Sequence, residues 1–201
     1  MDYREQATFF TYCKSPHSIG LMRITGGSLK SRPIPTQFAS HVRPSTDRVR
    51  ESLFSFLAIH KGIDGASILD AFSGSGIIGL EFISRDASQV MSIDIDRKNT
   101  KHQLVICQTW DIKNWRIVEG NAIATPAILK KNGLSIPAFD IIFADPPYDM
   151  PNIQALYDIY MPLLFVGGWL IIEHKPQLIF PQLPHLKKEY GSTSMTIFAR
   201  E

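Results

Sequence analysis

The chain has 201 residues, 44% of them hydrophobic and 20% charged. That balance fits one globular domain with a core of its own and excludes a disordered or low-complexity chain. No apolar run approaches a membrane span, and the start carries Asp2 and Glu5 rather than a basic region followed by an apolar one, so neither a membrane protein nor a secreted one is expected. The net charge of +2 is unevenly placed: residues 1–50 hold eight Lys/Arg against three Asp/Glu, and the rest hold thirteen against sixteen. A basic front end on a slightly acidic body points to nucleic acid.

Residues 1–21 show no periodic apolar pattern and read as an extension ahead of Met22, itself a candidate initiator. Cys13 and Cys107 form neither a disulfide framework nor a metal spacing, and no ligand cluster suggests a metal. A reducing cytoplasm and a monomer are the expectation. Residues 22–45 are basic. Gly26-Gly27 and Pro33/Pro35 flank Lys30 and Arg32, which predicts a small β-hairpin or extended arm over 22–36 and a loop over 37–45. Ser45 or Thr46 can cap a helix reaching about His60, with Val49, Leu53, Phe54, Phe56 and Leu57 on one face. Its other face carries Asp47, Arg48, Arg50 and Glu51. Local ion pairing and contact with RNA phosphates are equally compatible with those charges.

From Ser67 onward strand and helix patterns alternate. Strands are expected at 67–72, 89–94, 115–119, 139–144 and 168–173, and helices at 77–85, 97–109, 122–131 and 152–164. The tail from Lys187 to Arg200, broken at Gly191-Ser192, reads as an antiparallel hairpin. The fold class is therefore α/β: a doubly wound, mainly parallel, Rossmann-like sheet with right-handed crossovers and a closing hairpin.

After the first strand comes Asp70-Ala71-Phe72-Ser73-Gly74-Ser75-Gly76-Ile77-Ile78-Gly79, which satisfies G-x-G-x-x-G, and Asp94 ends the second strand. Taken alone this is a dinucleotide fingerprint, so an NAD-dependent dehydrogenase is a rival reading. A carboxylate at Asp70, however, would meet a pyrophosphate with like charge. It suits the ammonium of a methionine moiety, with Asp94 on a ribose and no phosphate to cradle, which points to S-adenosylmethionine. Ile95 can pack on the adenine. Asn121, ahead of Ala122, can bond the adenine or merely cap the following helix.

The fourth strand ends in Asp145-Pro146-Pro147-Tyr148. The prolines fix their own φ and donate no hydrogen bonds, so the Pro146 carbonyl is held stiff and open. Asp145 supplies a second acceptor and Tyr148 a stacking face. Two acceptors beside a flat ring suit a planar amine such as that of a nucleobase. A hydride transfer has no use for them.

These residues resemble a known family. Met22-Arg-Ile-Thr-Gly-Gly, Arg43-Pro-Ser-Thr-Asp-Arg-Val-Arg-Glu-Ser-Leu-Phe54, the D-x-F-x-G-x-G loop and D-P-P-Y resemble, in order and spacing over residues 22–201, the bacterial 16S ribosomal RNA guanine-N2 methyltransferases, the RsmD family, whose usual name specifies guanine 966. The last two motifs alone also occur in DNA adenine-N6 methyltransferases, which need extra target-recognition residues that this short chain has little room for. The resemblance implies a class I methyltransferase domain over 46–201, S-adenosylmethionine as cofactor, a flipped guanine as target, and 16S rRNA within the small ribosomal subunit as partner. Asn121 stands where an Asp is more usual. The expected sites are Asp145, Pro146, Pro147 and Tyr148 for chemistry, and Asp70, Phe72, Gly74, Gly76, Asp94, Ile95, Asn121 and Ala122 for cofactor. Arg23, Lys30, Arg32, Arg43, Arg48 and Arg50 are expected to meet RNA.

Overall fold

In the computed structural model, which describes residues 22–34, 47–136 and 138–201, the apolar runs become one sheet. Its strands are β1 (Ser67–Ala71), β2 (Gln89–Asp94), β3 (Trp115–Glu119), β4 (Phe139–Ala144), β5 (Leu164–His174), β6 (Leu186–Tyr190) and β7 (Thr193–Ala199). The order is β3-β2-β1-β4-β5-β7-β6. The first five strands are parallel, and β7 runs antiparallel between β5 and β6. Between β1 and β4 the winding reverses direction, and the crevice at that switch point is where such sheets bind ligands.

The helices are α1 (Asp47–His60), α2 (Ile77–Ile83), α3 (Arg97–Thr109), α4 (Thr125–Lys131) and α5 (Ala155–Tyr160). They cover both faces, so the central strands are apolar on both sides rather than alternating with polar residues. Ile68, Ile141 and Ile171 point to the side of α1 and α2 with Leu53, Phe54 and Phe82. Their neighbours Leu69, Ile142 and Leu170 point to the side of α4 and α5 with Leu129, Leu156 and Tyr160. The period of two along each strand thus feeds two cores. Phe54 meets Phe82 edge-on at 4.8 Å between ring centroids, a contact worth about 0.5–1.5 kcal/mol beyond the area it buries.

Three expectations shift. The helix expected over 122–131 is a 3-10 turn, Ala122–Ala124, followed by α4, because Pro126 in the first turn of α4 has no N–H to continue a ladder. The helix expected over 152–164 is shorter for the same reason: α5 passes into a 3-10 turn, Met161–Leu163, at Pro162. β5 begins four residues before 168. Its pairing with β4 slips between Phe139 and Ile141, where Gly167, at φ 76°, takes up the extra chain as a bulge.

The segment 22–34 is not a free arm. Among the described residues its two ends meet in one antiparallel bridge, Arg23 to Pro33. Ile24 and Ile34 are fully buried against the core. The loop between them caps the carboxyl end of α2: the Ser28 N–H donates to the Ser84 carbonyl at 2.7 Å, the Leu29 N–H to Ser84 Oγ at 2.8 Å, and Ser84 Oγ to the Gly26 carbonyl at 2.5 Å. Gly27 makes this approach possible. Its φ is +75°, and a Cβ there would stand 1.7 Å from the Ser84 oxygen. The expected caps Ser45 and Thr46, the loop over 37–45, and residues 1–21 lie outside the described residues.

Candidate active site

Five strands end on one cavity of about 570 Å³, within the size range of small-ligand sites. Phe72 and Gly74 reach it from the turn after β1, Asp94, Ile95, Asp96 and Asn99 from the end of β2 and the start of α3, Asn121 and Ala122 after β3, Asp145 to Tyr148 after β4, and Glu173 from β5. Ten of the residues expected from sequence therefore meet at one place.

The glycine turn is bent to expose backbone. Phe72, Gly74 and Gly76 all have positive φ, at 60°, 51° and 77°. For Phe72 that is a costly conformation, of order 1–3 kcal/mol, held by the fold around it. Gly74 opens onto the cavity, with nothing within 4 Å of where a Cβ would stand. Gly76 does not line the cavity. It is a packing glycine, since a Cβ there would lie 2.8 Å from both Gln103 and Trp115. Gln103, fully buried, stiffens the turn by donating to Ser73 Oγ at 2.9 Å and to the Gly74 carbonyl at 2.8 Å.

Asp70 also works behind the turn rather than in it. Only 1% exposed and absent from the cavity lining, it accepts from the Gly79 N–H at 3.0 Å and from Ser92 Oγ at 3.4 Å. Burial holds its carboxyl well above the usual carboxylate range. The expected contact with a methionine ammonium is thus replaced by a brace between β1, β2 and α2. Asp94 is the acid that faces the cavity. Its Oδ2 accepts from the Gly74 N–H at 2.7 Å and its Oδ1 from the Asp96 N–H at 2.7 Å and Asn99 Nδ2 at 3.2 Å. Ile95 beside it is 73% exposed, an apolar face left for a ligand. Asn121 does act as a cap, accepting from the Ile123 N–H at 3.0 Å, while it also lines the cavity.

Across the cavity, the Pro147 carbonyl accepts from the Met150 N–H at 2.9 Å and closes a turn. No donor among the described residues reaches the Pro146 carbonyl. Tyr148 is 43% exposed at the rim. Asp145 is open to water on its cavity side and crowded by protein on the others. Burial, and secondarily the charge of Glu173, pushes its carboxyl up to about 8. That shift belongs to a dry cleft, since water in the open one restores solvation. Glu173 was not expected from sequence, although an acid closing the apolar run Leu170-Ile171-Ile172 is the same signal that marked Asp145. Asp96 and Asn99 were also missed, since a helix start after Asp94 explains both.

The basic residues divide. Arg23, Lys30 and Arg48 are exposed. Arg32 is half-buried with its guanidinium 4.0 Å over the Trp110 ring. Arg50 is fully buried and bonded to Glu81, Asp47 and the Arg23 carbonyl, so it serves the fold and is withdrawn from the RNA-facing set. Arg43 lies outside the described residues.

The model of the family described as conserved hypothetical protein 95 matches residues 22–199. Ribosomal RNA small subunit methyltransferase D of Escherichia coli (strain K12) is 33% identical over 193 residues, covering 90% of this chain and 91% of its own. The solved structure of yhhF from Escherichia coli superposes with a TM-score of 0.76 at 30% identity, over 90% of this chain and 99% of that one. A crystal structure of SMU.776 in complex with SAH shares the fold, with a TM-score of 0.58 at 15% identity over 75% of this chain and 48% of that one. With the parallel sheet, the glycine turn and the D-P-P-Y corner facing one cavity, these matches set the dehydrogenase reading aside: the chain belongs to the RsmD family of ribosomal RNA methyltransferases.

Proposed function

We propose that the protein transfers a methyl group from S-adenosylmethionine to the exocyclic N2 amine of a guanine in 16S rRNA of the small ribosomal subunit. The observation that carries this is the pairing of two acceptors, Asp145 and the Pro146 carbonyl that no donor among the described residues reaches, with Tyr148 in the cavity that Asp94 and Gly74 also line. The cavity fits the cofactor: Gly74 leaves space where a side chain would intrude, Asp94 offers acceptors to a ribose, and Ile95 offers a face to adenine. When bound, S-adenosylmethionine supplies an electrophilic methyl group on a sulfonium.

The residues of the chain then position the amine. Its lone pair is delocalised into the guanine ring, so it is a poor nucleophile. Asp145 and the Pro146 carbonyl accept its two N–H bonds, favour a more tetrahedral nitrogen and aim the lone pair at the methyl carbon. An in-line transfer would form the N–C bond as the donor's S–C bond breaks. The surplus amine proton passes to Asp145 and on to water. Tyr148 stacks on the extruded base. This is catalysis by positioning and preorganised electrostatics. Mass spectrometry of 16S rRNA from cells with and without the gene tests the reading. Loss of one N2-methylguanine is expected, and an unchanged RNA overturns it.

Asp94→Ala should weaken S-adenosylmethionine binding by about tenfold or more, because it removes the ribose acceptors and also releases the Gly74, Asp96 and Asn99 donors that shape the turn. Calorimetry reads this directly, and an unchanged affinity would take Asp94 out of the cofactor site.

For docking, Arg23, Lys30 and Arg48 are the exposed cations of the front end among the described residues, and phosphate contacts position RNA without reading its sequence. Neutralising Arg23 and Lys30 together should weaken binding to the small subunit and flatten its salt dependence by roughly two counterions' worth, with cofactor affinity unchanged. The same slope in both proteins would place docking elsewhere.

A further inference from the structure

We propose that Glu173 selects the base: its carboxylate accepts the ring N1–H of the guanine whose amine is held by Asp145 and the Pro146 carbonyl. The proposal rests on the methyl-transfer reading above and adds the residue that makes guanine the substrate. Ala144 and Ile172 are partners in the β4–β5 ladder, so Asp145 and Glu173 follow side by side at the carboxyl end of the sheet. Glu173 is 4% exposed and lines the cavity. One carboxylate oxygen, Oε1, accepts from Thr193 Oγ1 at 3.0 Å. The other, Oε2, is buried with no hydrogen-bond partner among the described residues.

A buried acceptor without a donor is costly. At the wall of a ligand cavity the economical explanation is that the ligand brings the donor. The base chemistry then narrows the choice. Asp145 and Pro146 need an amine, and Glu173 needs an N–H next to it. Guanine has a ring N–H adjacent to its amine. Adenine and cytosine present a ring nitrogen that is an acceptor beside theirs, which would face Glu173 lone pair to lone pair, and uracil has no amine. A site built to bond a substrate N–H rejects analogues lacking it far more strongly than a pocket that merely fits.

The test uses small subunits reconstituted with 16S rRNA carrying either guanine or 2-aminopurine at the methylated position. 2-Aminopurine keeps the C2 amine but has an unprotonated N1. The wild-type protein should methylate guanine at least about 10²-fold faster. Glu173→Gln, whose amide can donate to N1, should narrow that ratio tenfold or more, with S-adenosylmethionine affinity by calorimetry unchanged. Equal rates on the two bases by the wild-type protein overturn the proposal without recourse to any variant. So does an unaltered ratio in a Glu173→Gln protein that binds cofactor normally, since that would make Glu173 a structural partner of Thr193. Failure of the wild-type protein to methylate the guanine particle at all would count against the methyl-transfer reading instead.

Discussion

Asp145→Ala should lower methyl transfer by on the order of 10²-fold or more, as for loss of one preorganised polar group at a reacting centre, while cofactor affinity stays within a few-fold. In the proposed pose Asp145 and the Pro146 carbonyl are the two acceptors for the amine, and the carbonyl cannot be removed by changing a side chain. Ala leaves the backbone turn intact, because the Asp145 N–H still bonds the Ala71 carbonyl at 3.3 Å and Pro147 still closes on Met150. A pH profile supplies an independent reading. Once ligands have dried the cleft, burial and the neighbouring Glu173 push the carboxyl up to about 8, and an acid with a raised pKa carries its charge only above it. The rate at saturating cofactor and substrate should therefore rise as pH increases and level off at or below about 8, since two N–H donors from a bound base draw the value back down. A rate that falls across that range, or an alanine variant with undiminished turnover, would remove Asp145 from the acceptor role.

The strands and the cavity corner were legible because their signals are local. Apolar runs ending in Asp94 and Asp145 place both acids at the carboxyl ends of parallel strands, and in a doubly wound sheet those ends converge. What was not legible depended on which way a side chain turns at a fixed position. Asp70 lies one residue from the end of β1 and Asp94 ends β2 beside it, yet the Gly79 N–H and Ser92 draw Asp70 inward, while the Gly74 N–H holds Asp94 at the cavity. Arg50 shares a short charged stretch with the exposed Arg48, but two residues along a helix is more than half a turn, enough to take one into the core and leave the other in water. Its partner Glu81 lies 31 residues on, in a stretch whose apolar surroundings gave no hint of a charge cluster.

That cluster sets the second large effect: Glu81→Ala should destabilise the protein by about 3–5 kcal/mol, the usual cost of removing one member of a buried ion pair. Glu81 and Arg50 are both fully buried. The Glu81 carboxylate takes Arg50 Nε at 3.4 Å, Arg85 Nη1 at 2.5 Å, the Thr25 N–H at 2.8 Å and Thr25 Oγ1 at 2.9 Å. Four donors from three segments thus converge on one acid, and its loss takes the fully buried carboxylate away from the fully buried Arg50, which keeps the exposed Asp47. The same change unfastens the loop at Thr25, so the segment from Met22 to Ile34 should become a preferred site of proteolysis. In a chain of this length the melting temperature should fall by on the order of 10 °C. Glu81→Gln keeps acceptor and donor atoms in the same place and should cost less. Cofactor binding is the control, because Glu81 does not line the cavity. An alanine variant that melts within a degree or two of the parent would show that this network is dispensable and that Ile24 and Ile34 alone hold the front end to the sheet.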